Sequence, residues 1–220
     1  MKYSYWVLLS VFVLMILANS VNQAGNAFEA EIRAFEKLDL LNPPVKGAIL
    51  FVGSSSIRLW KDLDTAFPDH RVLNRGFGGS ETSDVIYFFD RVVSVYKPSK
   101  IIFYEGDNDI ANGKTASEVL ADFKIFIGLV NKQLPGTPVG FIAIKPSPSR
   151  WDKHEEMEIV NNRISKLAAK TPNLQFIDVY TRMLGPDGKP IPEIFLSDSL
   201  HMNERGYDIW IDAVSPFVNK

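Results

Sequence analysis

Beyond a strongly apolar start, the chain alternates between short uninterrupted apolar runs and longer segments with helical spacing. Phe28 to Leu41 carries Phe28, Ile32, Phe35 and Leu38 near a 3.6-residue period, and Pro43-Pro44 stops it. Ala48 to Val52 is wholly apolar and runs into Gly53, and Val72 to Asn74 is a second short strand ahead of Gly76. Asp84 to Tyr96 reads as a helix that closes before Pro98, and Lys100 to Tyr104 holds a third apolar run ending at Gly106. Thr115 to Leu134 is strongly amphipathic, with Val119, Leu120, Phe123, Phe126, Ile127, Val130 and Leu134 on one face. Val139 to Ile144 and Leu174 to Val179 are strands four and five; Glu155 to Lys170 and Glu204 to Val218 are helices, the last expected to fray at Pro216. Strands without alternation are buried on both faces, which requires a parallel sheet between helix layers. The expected class is α/β with a five-stranded parallel sheet, and no linker, repeat or low-complexity tract divides residues 25–220. Open parallel sheets bind ligands beyond the carboxyl ends of their strands.

The first 20 residues form a separate object. Trp6 to Ala18 is apolar except for Ser10, Lys2 precedes it, and Ala18-Asn19-Ser20 places small residues where a signal peptidase reads. This is the three-part pattern of a secretory signal peptide. An uncleaved anchor is the competing expectation, because Tyr3 to Ala18 nearly reaches the ~17 residues a span needs. The domain plan is a leader over 1–20 and one domain over 21–220, with a mature start near Val21 and a periplasmic or extracellular destination.

Composition narrows the chemistry. The 220 residues hold 46% hydrophobic positions, 24 Lys and Arg against 26 Asp and Glu, and no cysteine. That is too apolar for a disordered chain and carries no bulk field for nucleic acid. Without cysteine there is no disulfide scaffold, thiolate nucleophile or zinc ribbon. Fifteen of the apolar residues lie in residues 1–20, and without Lys2 the remainder has 23 basic and 26 acidic residues, a net charge of -3.

The polar residues gather at the expected strand ends. Gly53-Ser54-Ser55-Ser56-Ile57 follows strand one, Asn74-Arg75-Gly76-Phe77-Gly78-Gly79-Ser80 strand two, Glu105-Gly106-Asp107-Asn108-Asp109 strand three, and Lys145-Pro146-Ser147-Pro148-Ser149-Arg150-Trp151 strand four. Asp198-Ser199-Leu200-His201 precedes the last helix. Each alone is ordinary loop chemistry. Together they supply a serine, a base, an orienting carboxylate and oxyanion donors, the parts of nucleophilic acyl transfer. Of three histidines, His70 lies in a polar turn and His154 among charged neighbours on an expected solvated face; only His201 has a carboxylate, Asp198, three residues away. The serine loop lacks the Walker ending, and Gly76 to Glu81 does not complete a dinucleotide fingerprint. G-x-S-x-G is absent too. Asp107 and Asp109 match no metal spacing with Asp198 and His201, so Asp109 is read as a loop-ordering residue.

These blocks resemble the SGNH hydrolases, also called GDSL esterases or lipases, over nearly the whole chain after the leader. Phe51 to Ile57 resembles the first block and puts the family nucleophile on Ser55; Asn74 to Ser80 puts the family glycine on Gly79. Gly106-Asp107-Asn108-Asp109 puts the family asparagine on Asn108, and Asp198 with His201 matches the last block. The resemblance implies a flavodoxin-like three-layer α/β/α sandwich and a serine esterase that needs no cofactor and no metal; the leader adds the expectation of export. The esterase's catalytic triad would be Ser55, His201 and Asp198, and its oxyanion donors the backbone N–H groups of Ser55 and Gly79 with the Asn108 side chain. Activity is then expected to rise with pH as His201 loses its proton. One departure stands out: the family's Gly-Asp-Ser reads Gly53-Ser54-Ser55 here, which leaves Ser54 and Ser56 as rival nucleophiles. Arg150 and Trp151 are candidates for the substrate pocket. The implied partner is a small acyl ester, from a sugar acetate to a lysophospholipid, with a membrane involved only if the leader stays attached. A catalytically weak carbohydrate- or lipid-binding protein on the same fold is the alternative class.

Overall fold

A computed structural model describes residues 27–220; the leader expected over 1–20 lies outside the described residues. The chain runs through helix α1 (27–41), strand β1 (Ile49–Gly53), the single turns α2 (Ser55–Arg58) and α3 (Leu63–Ala66), and strand β2 (Val72–Gly76). Next come α4 (Thr82–Tyr87), α5 (Phe89–Val92), β3 (Lys100–Tyr104), α6 (Asp107–Ala111) and α7 (Ala116–Gln133). It closes with β4 (Val139–Ile142), α8 (His154–Ala168), β5 (Leu174–Ile177) and α9 (Glu204–Val218). The five strands form one parallel sheet in the order β2-β1-β3-β4-β5. The expected α/β class and three-layer arrangement are therefore what the chain adopts.

Each strand feeds two cores because successive side chains point to opposite faces. Leu50, Val52, Ile101, Phe103 and Phe141 meet Ile32 of α1, Val119, Phe123 and Phe126 of α7, and Val160 of α8. Ile49, Phe51, Ile102, Tyr104 and Ile142 meet Ile57, Trp60, and Trp210 and Val214 of α9 on the other face. That double burial explains why the strands read as solid apolar runs. It also aligns the site: Gly53 pairs with Gly76 on one side and Tyr104 on the other, so the loops leaving β1, β2 and β3 emerge side by side.

Several boundaries differ from the periodicity. The helix expected over 84–96 is broken into α4, α5 and a 3-10 turn at Ser94–Tyr96, with non-helical backbone at Phe88 and Val93. Val85, Phe88, Phe89, Val92 and Val93 are all buried, so the chain re-aims twice to keep both halves in the core. Strand β2 extends two residues further than expected, through Arg75 and Gly76. Pro216 lies inside α9 without ending it, in the last turn, where only one intrahelical bond is lost. Leu38, counted on the apolar face of α1, is 55% exposed.

Candidate active site

The serine loop is shaped by Gly53. Its φ is 147°, and a Cβ there would stand 2.0 Å from the Tyr104 carbonyl oxygen of the neighbouring strand. Only glycine lets β1 come this close to β3 before the chain turns. The Ser54 N–H then donates to that carbonyl at 3.2 Å, and the Ser54 carbonyl accepts from the N–H groups of Ile57 and Arg58, closing α2. Ser54 and Ser56 are buried, whereas Ser55 at the first position of the turn is partly exposed. Tyr207 of α9 donates its hydroxyl to the Ser56 carbonyl at 2.9 Å and ties the turn to the opposite helix.

His201 reaches this turn from the far end of the sequence. Its Nε2 is 3.0 Å from Ser55 Oγ, and its Nδ1 is 2.6 Å from Asp198 Oδ2. The other Asp198 oxygen accepts the backbone N–H groups of Leu200 and His201, each at 2.9 Å. Desolvation pushes the Asp198 carboxyl up, but the hydrogen bond to His201 and the two backbone N–H donors outweigh it and hold it at about 2. The loop is clamped by the Phe195–Met202 bridge and by Leu196 N–H donating to the His201 carbonyl at 2.7 Å. Ser199 adopts a left-handed φ of 57°, and its carbonyl accepts from Ser149 N–H at 3.1 Å, joining this loop to the one after β4. The other histidines stand apart from the relay: His70 Nε2 bonds Asn219 Oδ1. His154, rather than facing open solvent as expected, is half-buried and stacked on Trp151 at 4.1 Å.

The loops after β2 and β3 lock to each other. Gly79 is exposed with φ 88°, a conformation in which a side chain is strained. Next to it, Ser80 Oγ contacts the Phe77 carbonyl at 2.8 Å and Glu105 Oε1 at 2.6 Å. Burial, with Asp109 nearby, raises the Glu105 carboxyl well above its ordinary range, and the Ser80 hydroxyl donating to it opposes that rise. Asn108 Nδ2 donates to the Ser80 carbonyl at 2.9 Å, which joins the two loops.

Asp109 orders its loop as expected: it accepts the N–H groups of Gly106 and Thr82 and pairs with Lys114 at 3.0 Å. Asp107 is buried between Lys145 at 2.7 Å and Arg150 at 2.5 Å. Desolvation opposes its ionisation, but the two cations prevail and its carboxyl is lowered. Arg150 also donates to Asn108 Oδ1 at 3.0 Å. Trp151 lines a groove of about 590 Å³ with Pro148, Pro186, Ile191 and Pro192. The buried Lys145–Asp107–Arg150 cluster was not singled out from sequence; its members lie 38 and 43 residues apart and carry no local signature.

Known proteins can be set beside this geometry. The model of the GDSL-like Lipase/Acylhydrolase family matches residues 52–209. Platelet-activating factor acetylhydrolase IB subunit alpha2 of Gallus gallus is 29% identical over 171 residues, covering 72% of this chain and 70% of that protein. A GDSL-like lipase from Bacteroides thetaiotaomicron superposes with a TM-score of 0.71 at 18% identity, over 89% of this chain and 97% of that one. A catalytic mutant of an acetylxylan esterase from Geobacillus stearothermophilus gives 0.65 at 15% identity, over 78% and 94%. The two structural likenesses, at such identities, speak for the fold.

Proposed function

The chain belongs to the GDSL-like lipase/acylhydrolase family within the SGNH hydrolases, and from that premise we propose that it is an exported serine esterase cleaving small acyl esters with Ser55, His201 and Asp198. The observation that carries the reading is the unbroken relay from Ser55 Oγ through both imidazole nitrogens to Asp198. Asp198, held ionised, fixes the tautomer with the proton on Nδ1 and leaves Nε2 as acceptor. His201 takes the Ser55 proton as Oγ attacks the ester carbonyl. The resulting oxyanion is met by the backbone N–H of Ser55, the N–H of Gly79 and the free N–H of the Asn108 amide. Asp198 stabilises the imidazolium, which then protonates the departing alcohol. Water, activated by the same imidazole, releases the acid from Ser55.

Acetyl is the favoured acyl group. The Gallus gallus relative is called an acetylhydrolase and the Geobacillus stearothermophilus neighbour an acetylxylan esterase. The proline-rich groove beside Trp151 is the candidate site for the alcohol part. Export rests on the leader pattern of residues 1–20.

The test is hydrolysis of p-nitrophenyl acetate, butyrate and octanoate by wild type and Ser55→Ala. The variant should lose at least about 10³ in kcat, with acetate the best substrate of the wild type. A fluorophosphonate should label Ser55. Equal rates for both proteins would remove the hydrolase reading and leave the binding protein; a label on Ser54 or Ser56 would move the nucleophile.

A further inference from the structure

The Asn108 amide is held from both ends. Its oxygen accepts from Arg150 at 3.0 Å and its nitrogen donates one N–H to the Ser80 carbonyl at 2.9 Å. A primary amide nitrogen carries two hydrogens, so one N–H remains for the site. Turning the amide over would set its oxygen against a carbonyl oxygen and its NH₂ against a guanidinium, two repulsive contacts at once. The guanidinium is itself held: it binds Asp107 Oδ1, while the other Asp107 oxygen takes Lys145 Nζ at 2.7 Å and lies 3.3 Å from the Tyr104 hydroxyl. Lys145 is 1% exposed and the Asp107 side chain 5%. Two cations therefore flank one carboxylate behind the amide, and Asp107 does not cancel both.

We propose that Arg150, braced by Asp107 and Lys145, is the positioning residue of the oxyanion site: it orients the Asn108 amide and polarises its free N–H toward the oxyanion. This rests on Asn108 serving as an oxyanion donor. A cation hydrogen-bonded to an amide oxygen withdraws electron density from the nitrogen and strengthens the N–H as a donor. A neutral ester carbonyl gains little from that, whereas the tetrahedral oxyanion gains much, so the effect falls on kcat rather than KM. Arg150 thereby acts through Asn108, not as a pocket residue gripping substrate.

The experiment compares kcat and KM for p-nitrophenyl acetate in wild type, Arg150→Gln, Arg150→Lys, Asn108→Ala and the Asn108→Ala/Arg150→Gln double variant, with thermal melts of each. Arg150→Gln should lower kcat by about 10- to 100-fold, below the ~10²–10³ of losing a donor outright, with KM within about threefold. Arg150→Lys keeps a cation beside Asp107 and should recover part of that loss, which guards against a folding artefact. In the Asn108→Ala background Arg150→Gln should cost less than about threefold, because its target is gone. Equal losses with and without Asn108, or a raised KM at unchanged kcat, would overturn the proposal and make Arg150 a substrate contact. A wild-type kcat in Asn108→Ala would instead defeat the oxyanion role of Asn108, and this inference with it.

Discussion

Gly53 sets the position of Ser55 by what it lacks. With a Cβ 2.0 Å from a backbone oxygen, either β1 or β3 must move, and both are central strands. Gly53→Ala should therefore cost at least about 3 kcal/mol through combined strain and overpacking, read as a lowered midpoint in urea unfolding. The ionisation of Asp198 is decided at the same scale. Asp198 is held at about 2, far below its ordinary 3.8, so it stays ionised across the working range. Asp198→Asn should abolish most of the esterase activity by favouring the wrong tautomer of His201, read as kcat for p-nitrophenyl acetate. Ser55, Asp198 and His201 could be named as candidates from the sequence because each sits in a short motif. That Ser54 and Ser56 are buried while Ser55 meets the histidine was not readable from periodicity, since it follows from the turn that Gly53 imposes. Arg150 was read only as a pocket candidate, because its link to Asn108 crosses 42 residues of chain.

Among the elements, α1 adds a set of ion pairs to the packing of Ile32, Phe28 and Phe35. Arg91 binds Glu29 and Glu36, and Arg75 pairs with Asp39 while donating to Tyr96 at 2.7 Å. Hydrogen bonds from Arg91 and Arg33 lower Glu29 from 4.5 to about 2, and Arg91 lowers Glu36 as well. Carboxylates with depressed values stabilise the folded form above their unfolded values and lose that contribution as pH falls through the folded ones. Protection of α1 amides, relative to their intrinsic exchange rates, should thus fall between about pH 4.5 and 2 ahead of the sheet, which hydrogen-exchange mass spectrometry resolves; simultaneous loss in both would mean that the ion pairs add nothing to the packing of α1. Element types were largely legible from periodicity, and α7 and α9 closely so, because a single amphipathic face decides each. The segment 84–96 was not. Its apolar spacing suits one helix, but β-branched Val92 and Val93 and the need to bury Phe88 and Phe89 together break it. Leu38 continues the period of α1 past the point where any core lies beneath it.

At the scale of the molecule, two apolar layers on either side of one sheet hold the described residues together without a disulfide. Stability comes from packing, and the strand ends are left free for chemistry. The layered fold was foreseeable because fully apolar strands have only one stable arrangement, between helices. The substrate was not, since it depends on loop shapes that no period encodes. For export, the intact mass of protein recovered from the producing cell's exterior should correspond to a start near Val21; a mass retaining Met1 would indicate an anchored form.

The aromatic stacks give the protein an optical signature. Of the tryptophans in the described residues, Trp60 and Trp210 lie deep against one another with ring centroids 5.8 Å apart, in the layer that includes Tyr104 and Tyr207. Trp151 alone lies at the groove, face to face with the imidazole of His154 at 11° between planes. Emission from the first two reports on whether the sheet is assembled, and emission from the third on what occupies the groove. Replacing Trp151 by phenylalanine would subtract one signal from the other, so ligand arrival and unfolding become separately visible in a single spectrum.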